Sequence, residues 1–248
     1  DKWILLRLNQ TGSLVSGFLE KFDAVGASGE IEKFVDDFSL WYIRRSRERV
    51  GPAKESEKDG NAFYLTTHYT LLTLCKIMAP FTPFMTDTIF VNLTKDDSVH
   101  LADWPEFSNV LSLTSKDAKI LDDMEKIRDI VEKIHAKRKE SGIPVRQPLA
   151  RAKVYGQNIK ISKEILDLAC LELNIKNIQF LGGSDKIELD TKITPELKEE
   201  AEVRELVRKI QEERRNLGLT LTQKVDVSLE KLPVNNKLIE WMTKKAQI

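Results

Sequence analysis

The spacing of apolar residues along the chain changes once, between residues 141 and 148. Before this point, apolar side chains recur at intervals of three, four and seven residues, which places them on one face of a helix. After it, short alternating runs lie between helical segments, a pattern typical of a small α+β domain. The sequence therefore predicts a mainly α fold, with a helical bundle over residues 1–143 and a small α+β domain over residues 144–248.

The first domain is predicted to consist of helices. Their limits, taken from apolar stripes and from helix-ending Gly and Pro residues, are about 3–22, 30–50, 61–79, a fourth helix beginning at Pro83, and 116–140. The apolar stripes of the second and third helices are Ile31, Phe34, Val35, Phe38 and Trp41, and Ala62, Leu65, Tyr69, Leu72 and Cys75.

The second domain is predicted to alternate strands and helices. In chain order these are a strand at 150–155, a helix at 163–171, strands at 177–181 and 186–189, a helix from Pro195 to about 217, a strand at 224–229 and a last helix at about 235–246. Up to residue 229 this βαββαβ order is that of a split βαβ, ferredoxin-like unit.

Composition and motifs exclude several classes of function. The chain has two cysteines and no Cys-x-x-Cys pair, so neither a structural zinc site nor a disulfide framework is expected. The sequence contains no Walker loop, nucleophile elbow or zinc-protease motif. It also lacks a run of about 18 apolar residues, so no membrane contact is expected. We therefore predict no catalytic, cofactor or metal site in this chain.

Basic residues gather in three places, although 39 basic and 39 acidic residues cancel over the whole chain. Nucleic-acid binders usually carry a basic excess, so any such binding must come from local patches. The planar guanidinium of arginine suits phosphate, and an adjacent aromatic ring can stack an unpaired base. The candidate RNA-contacting residues are Trp41, Arg44, Arg45, Arg47 and Arg49 in the first cluster, Lys137, Arg138 and Arg146 in the second, and Arg204, Arg208, Gln211 and Arg215 in the third.

Each cluster also has an ordinary structural interpretation. Trp41 continues an apolar stripe, and arginines in the last turn of a helix are favoured by the helix dipole. Glutamates accompany the other two clusters, at positions 132 and 140 and at positions 200, 205 and 212. On spacing alone, solvated helix faces explain the clusters at least as well as RNA contact does.

Several segments resemble one family. Residues 1–9 resemble the start of the anticodon-binding region in class I aminoacyl-tRNA synthetases for isoleucine, valine and leucine. Residues 34–47 resemble the isoleucine branch, because the valine branch typically has an acidic residue where this chain has Ile43-Arg44-Arg45. Further similar segments are 79–84, 98–105, 142–149, 172–176, 189–191 and 194–211, of which those after residue 141 resemble eukaryote-like, archaeal-type isoleucine enzymes.

The resemblance implies that the bundle docks on the anticodon stem-loop of the tRNA for isoleucine, while the second domain helps to read the anticodon. The parent enzyme would be a cytoplasmic aminoacyl-tRNA ligase that attaches isoleucine to its tRNA with ATP and Mg²⁺. The His-Ile-Gly-His and Lys-Met-Ser-Lys-Ser signatures of its catalytic domain do not occur in this sequence. We therefore expect a piece of a longer protein, inactive alone and without a cofactor, whose partners are the tRNA and the catalytic and editing domains.

Three alternatives stay open. The first is the same region of a valine or leucine enzyme, against which the Arg44-Arg45 pair argues. The second is a helical protein-interaction module on this fold, which would bind its partner through apolar contacts that salt does not weaken. The third is a small hydrolase, which the missing nucleophile and base motifs disfavour.

Overall fold

A computed structural model describes residues 1–52, 54, 56–107, 114–156, 159–220, 222–229 and 233–248. The chain divides into two compact units, Asp1–Leu121 and Asp122–Ile248. This division falls inside one long helix, whereas the boundary expected from the sequence, between residues 143 and 144, follows the end of that helix. The domain boundary therefore stays a prediction.

The first unit is helical, as predicted. Its elements are α1 (Lys2–Leu19), α2 (Ala24–Asp36), a π-helix (Asp37–Ile43), α3 (Arg47–Val50), α4 (Glu57–Met78), α5 (Pro83–Thr94), a 3₁₀-helix (Val99–Leu101) and the start of α6 (Ser115–Glu140). The side chain of Asp23 accepts a hydrogen bond from the Gly26 N–H at 2.8 Å and caps α2. Pro83 occupies the first turn of α5, where its missing N–H costs nothing. Apolar residues of α1, α2 and α4 form one core.

Helix α4 buries a face different from the predicted one. Leu65 and Tyr69 are 73 % and 59 % exposed, so the predicted stripe was wrong at these two positions. The rotation of α4 follows from Phe63, whose ring stacks on Tyr42 with centroids 5.7 Å apart. The buried residues of α4 are Gly60, Phe63, Thr66, Thr70, Thr73, Leu74, Cys75 and Ile77. The predicted stripe considered apolar residues alone and therefore omitted threonine, which also carries a methyl group and is buried at three positions of α4.

The second unit combines a small sheet with helices, which confirms a mainly α fold with a small α+β part. After α6 it contains β1 (Leu149–Tyr155), α7 (Lys163–Leu173), β2 (Ile175–Leu181), β3 (Lys186–Leu189), α8 (Pro195–Asn216) and α9 (Asn236–Ala246). Strand β1 is central, with Leu149 opposite Ile175 of the parallel strand β2 and Ala152 opposite Leu189 of the antiparallel strand β3.

The predicted ferredoxin-like topology was wrong in the arrangement of strands within the sheet and in its last strand. Among the described residues the sheet has the order β2-β1-β3, so the two parallel strands are direct neighbours and no strand separates them. Residues 224–229, predicted as a further strand, are irregular. Their Val225 N–H donates to the Gln247 carbonyl at 3.3 Å, beside the end of α9. Alternating apolar residues satisfy the pattern of a strand, but strand formation also depends on tertiary context, and here Val225 bonds the residue after α9.

Gly12 allows the segment after the 3₁₀-helix to pack on α1. A Cβ at this buried position would overlap the Phe107 ring, whereas a Cβ at Gly17 would meet no atom within 4 Å. Both Gly→Ala changes raise helix propensity by a similar amount. The difference between their free energies of unfolding therefore measures the overlap of the new Cβ at position 12 with Phe107. We expect Gly12→Ala to unfold with about 1–3 kcal/mol less free energy than Gly17→Ala in urea titrations. Equal stabilities would contradict this packing.

Candidate nucleic-acid interface

The first basic cluster follows a π-helix inside the predicted second helix. Its wider turn is seen where the Arg44 N–H donates to the Ser39 carbonyl, five residues back, at 3.1 Å. Phe34, Phe38 and Tyr42 stack in sequence, with ring centroids 6.1 and 5.8 Å apart. Tyr42 therefore points into the core, 5 % exposed. Its neighbour, the predicted stripe residue Trp41, is only half-buried.

A buried ion pair fastens the start of this π-helix to α1. The Arg7 Nε donates to the Asp37 Oδ2 at 2.9 Å, and the two side chains are only 15 % and 3 % exposed. Arg7 also donates to the Gln10 side chain at 2.5 Å. Because π-helical turns are rare and are frequently found at functional sites, the segment that carries the first cluster is a candidate for such a site.

The Arg49 side chain is held by contacts within the first unit. Its guanidinium donates to both carboxylate oxygens of Asp1, at 2.6 and 2.8 Å, and its Nε donates to Asp59 at 2.8 Å. It also lies over the Phe63 ring, 5.6 Å from the centroid. The hydrogen bond from Arg49 lowers the pKa of Asp59. These contacts account for Arg49 as a structural bridge between the start of α1 and α4.

The other members of the first cluster are more accessible. Arg44 and Arg47 are exposed, and Arg45 is half-buried like Trp41. The Arg44 Nε donates to the Leu40 carbonyl at 3.0 Å, as arginines near a helix end commonly do. We call Trp41, Arg44, Arg45 and Arg47 the arginine patch.

Arg138 of the second cluster is buried, with 1 % of the residue exposed. Its guanidinium donates to four carbonyls, those of Pro144, Gln147, Leu173 and Asn174, at 3.0, 3.1, 2.8 and 3.3 Å. Burial lowers the pKa of this guanidinium. Arg138 therefore offers no guanidinium at the surface, which removes the basis on which it was predicted to contact RNA.

Lys137 and Arg146 of the same cluster are exposed and paired. The Lys137 Nζ lies 3.0 Å from Glu140, and the Arg146 guanidinium lies 2.6 Å from Glu205. Hydrogen bonds from Arg208 and then Arg146 lower the pKa of Glu205 to about 2. A phosphate at Arg146 would therefore compete with a carboxylate that stays ionised.

The third cluster lies along α8, and half of it packs against α9. The Arg204 guanidinium lies over the Trp241 ring, 5.4 Å from the centroid, and the Gln211 amide donates to the Lys245 carbonyl at 2.8 Å. Arg208 is exposed and pairs with Glu205 and Glu212, both at 2.7 Å, and Arg215 is also exposed. Only Arg208 and Arg215 of the predicted stripe therefore present an exposed side chain.

Residues 1–154 match the family described as the anticodon-binding domain of tRNA ligase. This chain belongs to that family. The matched residues contain the first two basic clusters of the anticodon-binding domain, whereas α8, with the third cluster, lies beyond the match. In the described part of the chain, no three His, Cys, Asp or Glu side chains are grouped to hold a metal ion. No described helix combines the length and the apolarity needed to cross a membrane.

Similar proteins are isoleucine–tRNA ligases. That of Deinococcus radiodurans is 37 % identical over 191 residues, covering 74 % of this chain and 17 % of the relative. That of Protochlamydia amoebophila is 38 % identical over 186 residues, covering 73 % and 17 %. That of Clostridium kluyveri is 29 % identical over 330 aligned residues, covering 99 % and 31 %. The chain thus spans less than a third of the length of these relatives.

Sequence analysis of the anticodon-binding domain and its continuation missed Arg214. This residue is 5 % exposed and donates to the carbonyls of Thr220 and Gln223 at 2.9 and 2.6 Å. Its arrangement repeats that of Arg138, a buried guanidinium surrounded by carbonyls near a helix end. One signal was present in the sequence, because Arg214 lies four residues after the buried Ile210 and so continues an apolar stripe.

Proposed function

We propose that this chain binds the tRNA for isoleucine as the anticodon-binding region of an isoleucine–tRNA ligase. The family match over residues 1–154 carries the proposal. The names of the relatives support the choice of amino acid. In this proposal the parent enzyme attaches isoleucine to its tRNA in the cytoplasm, with ATP and Mg²⁺ bound by catalytic parts outside this chain, and an editing domain completes it.

The arginine patch is the proposed contact with the RNA backbone. Exposed Arg44 and Arg47 can donate paired hydrogen bonds to phosphate oxygens, which set the register of the RNA without reading its sequence. The half-buried Trp41 lies beside them, where part of its ring can meet a base. Arg208 and Arg215 of α8 are the proposed second contact, while Arg49 and Arg138 act by holding the fold.

The proposal predicts that removing the arginine patch weakens tRNA binding in a salt-dependent way. We expect Arg44→Ala combined with Arg47→Ala to lower affinity for isoleucine tRNA about tenfold or more at low salt. The slope of log K against log salt should fall by about 2, since two phosphate contacts disappear. Fluorescence anisotropy of labelled tRNA across a salt series measures both, with unlabelled valine tRNA as competitor.

The matched control is Lys33→Ala combined with Lys163→Ala, which removes two exposed positive charges outside the three clusters. This variant should bind nearly as the unchanged chain does. Equal losses in the two double variants would leave only general charge attraction. Salt-insensitive binding, or no binding of either tRNA, would favour the protein-interaction module instead.

A further inference from the structure

We infer that a slot beside the second half of α1 binds an unpaired nucleobase. The slot is a cavity of about 680 Å³ lined by Ser13, Ser16, Gly17, Leu19, Glu20, Trp104, Pro105 and Phe107. It contains none of the candidate RNA-contacting residues named from the sequence, although Trp104 and Pro105 belong to the family-like segment 98–105. The inference rests on the proposed function, in that the ligand is RNA, and it adds a base-binding site separate from the arginine patch.

Trp104 supplies a fixed aromatic surface. Its indole N–H donates to the Ser16 Oγ at 2.9 Å, and the Ser16 hydroxyl donates to the Gly12 carbonyl at 2.9 Å. These bonds tie the ring to α1, while 40 % of the residue remains exposed. Because the indole N–H is already used, Trp104 offers a ligand its face. A face of this kind suits stacking, which every base can accept.

The opposite side of the slot is open and polar. A Cβ on Gly17 would meet no atom within 4 Å, so nothing among the described residues covers the slot at this point. Ser13, on α1, and Glu20, directly after it, add a hydroxyl and a carboxylate, which can hydrogen-bond the polar edge of a base. A flat apolar surface with a polar rim matches a nucleobase better than it matches an aliphatic side chain.

The slot lies along the second half of α1, whereas the arginine patch lies on the π-helix and the four residues after it. Arg49, two residues after the patch, forms an ion pair with Asp1 at the start of α1. Ser16, which holds Trp104, lies fifteen residues further along α1, about 22 Å away at the helical rise of ~1.5 Å per residue. One RNA stem-loop can span this distance, with phosphates at the patch and a splayed loop base in the slot.

Filling the slot tests the inference without removing Trp104. Gly17→Leu places a side chain in open space inside the slot. The control is Gly29→Leu, which places the same side chain in open space on α2, outside the slot, where a Cβ also meets nothing within 4 Å. The probe is an RNA stem-loop with 2-aminopurine at loop positions, whose fluorescence falls when the base stacks. A blunt duplex of the same stem serves as the RNA without unpaired bases.

We expect Gly17→Leu to weaken stem-loop binding about tenfold and to abolish the fall in 2-aminopurine fluorescence. Trp104→Ala should act in the same way, and Gly29→Leu should not. Duplex binding and its salt dependence should not change in any variant. Thermal melts followed by circular dichroism should show both leucine variants folded.

Two results would overturn the inference in distinguishable ways. If Gly17→Leu binds the stem-loop as Gly29→Leu does, the slot binds no base, while the arginine patch and the proposed function stand. If the unchanged chain binds neither RNA, the proposed function fails together with the slot.

Discussion

Replacing Arg138 with methionine is expected to lower the free energy of unfolding of the second unit by about 3–5 kcal/mol. Methionine fills part of the space but cannot donate hydrogen bonds, so the carbonyls of Leu173 and Asn174 lose their charged partner. Both lie at the end of α7, where the helix dipole favours a positive charge. Asn174 adopts a left-handed φ of 53° there, a conformation that the Arg138 contacts help to hold.

The control is Lys139→Met, which removes a positive charge from the exposed neighbouring position of α6. Urea titrations followed by circular dichroism compare the two variants. Hydrogen exchange at the Leu149 amide, which donates to the Asn174 carbonyl at 3.1 Å, reports the local loss. If Arg138→Met is as stable as Lys139→Met, the four carbonyl contacts of Arg138 contribute nothing to the stability of the second unit.

Asp37→Ala is expected to lower the free energy of unfolding by about 3–5 kcal/mol, because it leaves the charge of Arg7 buried without its carboxylate partner. The same change releases the first turn of the π-helix from α1. Since the π-helix determines that Tyr42 faces the core, its loss should also reorient Arg44 and Arg47. We therefore expect the Asp37→Ala variant to bind tRNA more weakly than the unchanged chain, even under conditions in which the variant is folded.

Asp36→Ala is the matched control, since Asp36 is the exposed neighbour of Asp37 and carries the same charge. Urea titration gives the stability of each variant, and anisotropy with labelled tRNA gives the affinity. A stable Asp37→Ala variant would show that water replaces the carboxylate at Arg7. A variant that loses stability but keeps full affinity would separate the π-helix from RNA binding.

Local sequence patterns were sufficient for most helices and for a mainly α fold with a small α+β part. The stripes that predicted α1 and α6 depend on neighbours three and four residues away, and the Thr194-Pro195 pair that predicted the start of α8 is equally local. The same locality explains why the family was recognisable, since its motifs are short runs of adjacent residues such as 34–47.

The candidate site was less predictable, because accessibility depends on contacts between distant residues. Arg47 and Arg49 are alike in sequence, but Arg49 pairs with Asp1 and Asp59, at 2.6 and 2.8 Å, while Arg47 is exposed. Trp104 was noted only as part of the family-like segment 98–105 and not as a site residue, since Ser16, its hydrogen-bond partner, is 88 residues away.

By itself, the sequence determined most of the helices, the change to strands after residue 148, and the family to which the first 154 residues belong. Only the tertiary structure decided that Tyr42 is inward instead of Trp41, that Arg138 and Arg214 are buried, and that residues 224–229 join no sheet. Periodicity shows which side chains share a face, whereas burial and pairing also require a partner. That partner comes from a distant part of the chain, which spacing along the sequence does not specify.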